Sequence, residues 1–537
     1  MIDQMLEYHS YMSFLKTGDR TMSGTKIMGK RVEGNHTLIN TPDIYVPAGG
    51  LGYHFSTAGT YLVICTWNLA VDQDCTFTTD FKINGTSVFD AGPVHKDSSY
   101  DPFDQTSQLL LEINKGDVLT IETTMSTGTG TLKQGSSIVI MKAKGAYGQV
   151  RYSADASAVS AGTEVYLGKA SQGGTIEALT SDVVYGSSVG ALTPGTGAGT
   201  SRPYFVLANS VLSGTGNRAT VAHYIKIDGS TANGPSGGSG GVSPSVDPVE
   251  ITYHIVKTID HGDAVSLVIE DTTDVIDLTL NKGAALTLLD ISNNGAIGDH
   301  SYACGLQRLF LTLDEDSSTV LFSDTAAGGG NVYEVVEESG IDYNDSDGTF
   351  TINKAGVDGG SADFYIMANI KSLTSGDEEG TKTLEVKNNG SVIWTGVYFV
   401  DQFFDNKFDM TVSFIANLKV GDVITFVYTN PDTGTGSTRT ANGNTASIFR
   451  LSNLKDAKSH LFKGSRNLLR EDGIFEGGPD ALIQEDFDIN THKKQDQRFR
   501  VVDQAPTILG SSGPPSVRGR VKGTLPFRVS GPKGGKK

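Results

Sequence analysis

The chain has 537 residues, a net charge of −18 with histidines neutral, 65 glycines, 16 prolines and three cysteines. That length fits about three to four domains, and abundant glycine among short apolar runs fits an all-β protein with many tight turns. An acidic body repels nucleic acid and acidic membranes. Cys65, Cys75 and Cys304 are too scattered for a disulfide framework or a zinc cluster. No run approaches the roughly 18 apolar residues of a membrane span, and no basic-then-apolar leader opens the chain.

Residues 1–39 precede the first regular pattern. Met1, Met5, Leu6, Met12, Phe14 and Leu15 predict a short amphipathic helix ending near Gly18, read as a packing arm or as a docking segment with an adaptable Met-rich face.

From residue 40 the same series of landmarks recurs three times. An aromatic-led apolar run comes first: Tyr61–Trp67, Tyr204–Ala208 and Phe364–Ala368. A Lys-x-Asn/Asp-Gly signal follows, ending at Gly85, Gly229 and Gly390. Asn-Gly and Asp-Gly pairs favour type I′ hairpins, whose two central residues need positive φ. After 31, 33 and 31 residues comes a Gly-Asp pair: Gly116-Asp117, Gly262-Asp263 and Gly421-Asp422. Apolar residues alternate on both flanks of each pair, which predicts two half-buried strands joined by a tight turn capped by the aspartate. Each copy then closes on a short strand, at Ser137–Met141, Ala285–Leu289 and Ser447–Leu451. Four landmarks in one order, three times, identify a repeated domain.

The boundaries follow: an arm at 1–39, copies at 40–146, 147–293 and 317–455, a connector at 294–316, and a tail at 456–537. Between the two turns, Asp90–Gln105 reads as a long loop, Ser230–Pro248 as an expanded Gly/Ser loop, and Val397–Phe408 as an aromatic-rich segment, a buried strand or interface in preference to a binding patch. Early strands of the second copy are expected around Glu164–Leu167 and Asp182–Tyr185, and one in the connector at Arg308–Leu313.

The tail breaks the pattern. From Lys493 onward it holds eleven basic and two acidic residues, a balance of +9, so the rest of the chain carries −27. It cannot bury a core of its own. Arg498, Phe499, Arg500, Arg518, Arg520, Lys522, Phe527 and Arg528 are the candidates for docking onto an acidic protein lattice, apolar pegs lying between charges. Phosphate binding is the other reading, but the aromatic spacing of a stacking platform is missing.

No catalytic set emerges. His261 occupies the variable position of a Gly-Asp turn, where the other copies have Lys115 and Val420. Asp342–Gly348 fails as an EF-hand loop, because Lys354 falls where the twelfth-position carboxylate belongs. It reads as a polar turn. Catalytic, metal and cofactor residues are therefore expected to be none.

In order, the landmarks resemble the jelly-roll family of tumour necrosis factor and the globular head of complement. The first copy matches best, through YHFSTAGTYLVICTW, FKINGTSVF, LLLEINKGDVLTIE and SSIVIMKA. The resemblance implies three tandem antiparallel sandwiches, trimerisation of chains about an aromatic-rich face, and three tiers stacked along one axis. Tandem domains of this kind with irregular termini resemble tailed-phage virion proteins. What that implies is a non-enzymatic, trimeric head decoration or head fibre on the particle surface, made in the host cytoplasm and docked on capsid or other virion proteins by a terminal segment. The alternative is a tail-associated adhesin recognising a host-surface glycan or protein. Neither reading needs a membrane or bound nucleic acid.

Overall fold

The computed structural model describes residues 10–451, except 30–35, 48–50, 97–102, 153–164, 169–174, 181, 189, 196–200, 216–218, 232–237, 243–248, 272–276, 293–300, 308–310, 314–317, 324–332, 356–360, 376–379, 401–407, 430–436 and 441–442. They belong to the compact unit His9–Asn453. Among them every regular element is a β-strand, every strand pairing is antiparallel, and there is no helix to cross a membrane.

The strands fall into three successive groups, each a sandwich of two layers. The inner layer of each group repeats four strands in one spatial order. A lead strand (Tyr11–Lys16, Tyr147–Arg151, Tyr302–Gln307) pairs with a closing strand (Ser137–Lys142, Ala285–Asp290, Thr445–Arg450). The closing strand pairs with a central strand (Gly59–Val71, Arg202–Thr215, Ala362–Ser375). The central strand pairs in turn with a seam strand (Phe103–Ile113, Val249–Ile259, Phe408–Leu418). In the first group the long strand Val118–Leu132 crosses from the outer layer to pair with the end of Gly59–Val71, which joins both layers into one sheet.

The first lead strand is where a helix was predicted. Tyr11–Lys16 is a strand with all six residues buried. Met12 and Phe14 enter the interior of the first sandwich, while Tyr11 and Leu15 face other groups. A side-chain period of two serves two buried faces at once, and the strand's backbone satisfies Ser137–Lys142, which would otherwise be left as an open edge. Residues 20–27 and 36–40 likewise join the first group. The connector region supplies the third lead strand, Tyr302–Gln307.

The hairpins follow the sequence. Asn84, Asp228 and Asn389 have φ of 52°, 51° and 49°, and the glycines that follow have 83°, 79° and 80°, so both central residues of each turn are left-handed. The Gly-Asp turns differ from a hairpin. The strands they join do not pair with each other: one is the inner-layer seam strand and the next lies in the outer layer, at Val118–Leu132, Val265–Asp271 or Val423–Thr429. Each is an arch that carries the chain across the sandwich.

The inter-turn segments are more regular than their composition suggests. Strand Thr86–Lys96 occupies the start of the first expected loop, and Val397 lies in the strand Ser391–Val400. Strands Ser230–Thr231 and Gly238–Val242 lie within the Gly/Ser stretch. Val165–Tyr166, Val183–Gly186 and Leu311–Leu313 are strands near the expected positions. Asp342–Gly348 lies across the hairpin between Ile341–Asn344 and Thr349–Ile352, with Thr349 donating its N–H to Asp347 Oδ1 at 3.2 Å.

Candidate functional site

The central strands contain unbroken apolar runs, which a strand with one solvated face would not need. Tyr61, Val63, Cys65 and Trp67 fill the first sandwich, whereas Leu62 and Ile64 point out of it. The outward set does not meet solvent. Leu62, Ile64 and Leu110 of the first group, Phe205, Leu207 and Val256 of the second, and Tyr365, Met367 and Ile415 of the third all belong to one buried cluster.

That cluster is the hub of a ring. The first seam strand, Phe103–Ile113, packs on the lead, closing and central strands of the second group. The second, Val249–Ile259, packs in the same way on the third group. The third, Phe408–Leu418, returns to the lead, closing and central strands of the first, and the three seam strands touch one another. Three like contacts in cyclic order close the ring, in place of tiers stacked along an axis.

Strand register resolves each seam into layers. Leu62 pairs with Leu110, Phe205 with Val256 and Tyr365 with Ile415, giving an apolar layer. In it the Phe205 ring meets Tyr365 and Phe449, with centroids 5.8 and 5.3 Å apart. Two residues along, the seam strands present Gln108, His254 and Ser413 to the next group. Gln108 donates through Nε2 to Asn209 Oδ1 at 2.8 Å and accepts at Oε1 from Thr287 at 2.7 Å. His254 Nδ1 lies 2.5 Å from Asn369 Oδ1 and 3.3 Å from Thr445 Oγ1. Ser413 accepts through its carbonyl from the Ser137 hydroxyl. The next layer holds threonine on all three seam strands, at Thr106, Thr252 and Thr411. The N–H of Thr106 is bound by Glu250 Oε1 at 2.9 Å and that of Thr411 by Asp104 Oδ2 at 2.7 Å. Buried polar groups cost least when paired, so these layers set register as well as affinity.

Burial shapes the titrating groups here. It pushes His254 down to about 4, against the hydrogen bond that His254 Nδ1–H donates to Asn369 Oδ1, which favours the charged form. His223 is pushed well below the ordinary value by burial and then by the Lys371 charge. Tyr11, whose hydroxyl donates to Asp363 Oδ2 at 2.6 Å across the third seam, is raised by burial and by that carboxylate. Burial also raises the Cys65 thiol. Among the described residues no three His, Cys, Asp or Glu side chains gather as a metal site would require.

The residues singled out in the sequence divide in two. Arg498, Phe499, Arg500, Arg518, Arg520, Lys522, Phe527 and Arg528 lie outside the described residues. Gly85, Gly229, Gly390, Gly116, Gly262 and Gly421 lie at turn tips with open space beside them. The two turn signals of a copy meet there. Asp117 receives Asn114 N–H and Asn84 Nδ2 on separate oxygens, each at 2.8 Å. Asp422 likewise receives Lys419 N–H at 3.0 Å and Asn389 Nδ2 at 2.9 Å. Gln108, His254, Asn369 and Ser413 were missed. Their only mark in the sequence is a polar residue inside a buried strand.

No protein-family model matches the chain, and no curated protein resembles it significantly. Among solved structures it is similar to Eiger, a tumour necrosis factor of S. frugiperda, at 13% identity over 26% of this chain and 92% of that one, with a TM-score of 0.19. It is also similar to PNGF-II, at 9% identity over 73% of this chain and 98% of that one, with a TM-score of 0.22. A third similarity is to the structure of Sulfolobus Turreted Icosahedral Virus, at 10% identity over 82% of this chain and 96% of the matched chain, with a TM-score of 0.17. Superpositions this loose say nothing about activity.

Proposed function

We propose that the chain is a non-enzymatic structural protein of a virus particle, a head decoration or head fibre, docked through its basic C-terminal segment. The supporting observation is the closed ring. Three sandwiches bury their inner layers on one another, so the body is a stiff block whose outer layers and turn tips are what a partner meets. Its composition supplies the polarity: residues 1–492 together carry −27 and the segment from Lys493 onward +9. Opposite charges on block and tail suit a device that holds on by one end and repels like-charged neighbours elsewhere.

Immunogold electron microscopy of intact particles, with antibody that recognises the native chain, tests this reading. Label over the head is the expected result. Label confined to the tail would move the assignment to a host-binding adhesin, and particles free of label would overturn it.

A further inference from the structure

We infer that one chain is by itself the complete threefold assembly: the inner face through which separate sandwiches would associate takes its partners from the same chain, and the protein is a monomer. This goes beyond particle docking and does not depend on it.

Three observations carry the inference. First, the ring closes. The contact of the third group with the first spans the ends of the described chain, through Tyr11 to Asp363, Ile415 N–H to Ser13 Oγ at 3.2 Å, and Trp394 Nε1 to the Gly135 carbonyl at 3.2 Å. A row of sandwiches with one open end would leave an inner face for a second chain; a ring of three leaves none.

Second, the seams are not interchangeable. At the same layer the pairs are Gln108 with Asn209 and Thr287, His254 with Asn369 and Thr445, and Ser413 with Ser137. Exchanging partners would place the Gln108 amide or the His254 ring against donors and acceptors arranged for another side chain, leaving buried polar groups unpaired. Three identical subunits would need one self-consistent pair. The differing pairs fix the cyclic order of unlike domains.

Third, the glycines before two closing strands are fitted to the preceding group. A Cβ on Gly135 would lie 2.7 Å from the Thr395 carbonyl oxygen, and one on Gly283 would lie 3.2 Å from the Gly92 nitrogen. The second contact is flanked by an ion pair between Lys282 and Asp90, both partly exposed.

Native mass spectrometry and light scattering of the full chain, over a wide concentration range, test the inference. The expected mass is that of one chain, 56.9 kDa, at every concentration. A mass of three chains, or one that falls on dilution, would overturn it. A second readout uses the Lys282–Asp90 pair. A carbodiimide activates the Asp90 carboxyl, and attack by the Lys282 amine forms an amide with release of the urea, joining the two residues without a spacer. The Lys282–Asp90 peptide is expected from protein migrating at one-chain mass in a denaturing gel. Recovery of that peptide only from bands of two or three chains would show that the seam joins separate molecules.

Discussion

Asn84 and Asp117, 33 residues apart in sequence, clasp each other: Asn84 Nδ2 donates to Asp117 Oδ1 at 2.8 Å, and Asn84 Oδ1 accepts the N–H of Val118 at 3.0 Å. One asparagine thus ties the hairpin tip to the arch that carries the chain between layers. Asn389 and Asp422 repeat the arrangement with the Val423 N–H at 3.1 Å. In the second copy Asp228 replaces the asparagine. The backbone bond to the Ala264 carbonyl remains at 2.9 Å, but a carboxylate has no amide to offer Asp263.

Asp228→Asn is therefore expected to stabilise the protein by roughly 1 kcal/mol, and Asn84→Asp to destabilise it by a similar amount. Denaturant midpoints at neutral pH measure both. The Asp117 carboxyl is held below the usual carboxylate range, chiefly by the Asn114 backbone N–H and then by Asn84. Its contribution is present above the ordinary carboxylate value and is lost as pH falls through the lowered one.

Two alanine substitutions separate turn strain from seam packing. Gly85→Ala meets open space at φ 83°, so only backbone strain of about 1 kcal/mol is expected. Gly135→Ala has a similar φ of 95° but drives a methyl into the Thr395 carbonyl of the third group. A loss of roughly 2–4 kcal/mol is expected there. Hydrogen exchange of the seam strand Phe408–Leu418 is expected to rise for Gly135→Ala and to stay unchanged for Gly85→Ala.

Acid is expected to loosen the seam between the second and third groups. His254 stays neutral when folded down to about 4, against an ordinary value of 6.5. Between those pH values the unfolded chain takes up a proton that the folded chain does not. Stability is thus full above pH 6.5 and falls, by on the order of 3 kcal/mol, as pH drops to about 4. His223, facing Lys371, adds to the same trend. Replacing His254→Gln retains an amide for Asn369 and is expected to flatten the slope of denaturant midpoint against pH between 7 and 4.

Much of this fold is written locally. The I′ turns announce themselves at Asn84-Gly85 and Asn389-Gly390, because few residue pairs tolerate two consecutive positive φ values. The ring is not written locally. Its seams join residues such as Tyr11 and Asp363 or Gly135 and Trp394, and an apolar run like Leu109–Leu111 shows that both faces are covered without saying by what. The same ambiguity hid the first strand. Met12, Phe14 and Leu15 fit a helical stripe as well as a strand with two buried faces, and only the neighbouring closing strand decides between them.

The most direct test of the proposed role is incorporation of a chain cut before Lys493 into particles. The ring lies upstream of the cut, so the shortened chain is expected to keep the thermal midpoint of the intact protein while its abundance in purified particles falls to background. Full incorporation of the shortened chain would contradict docking through the basic segment.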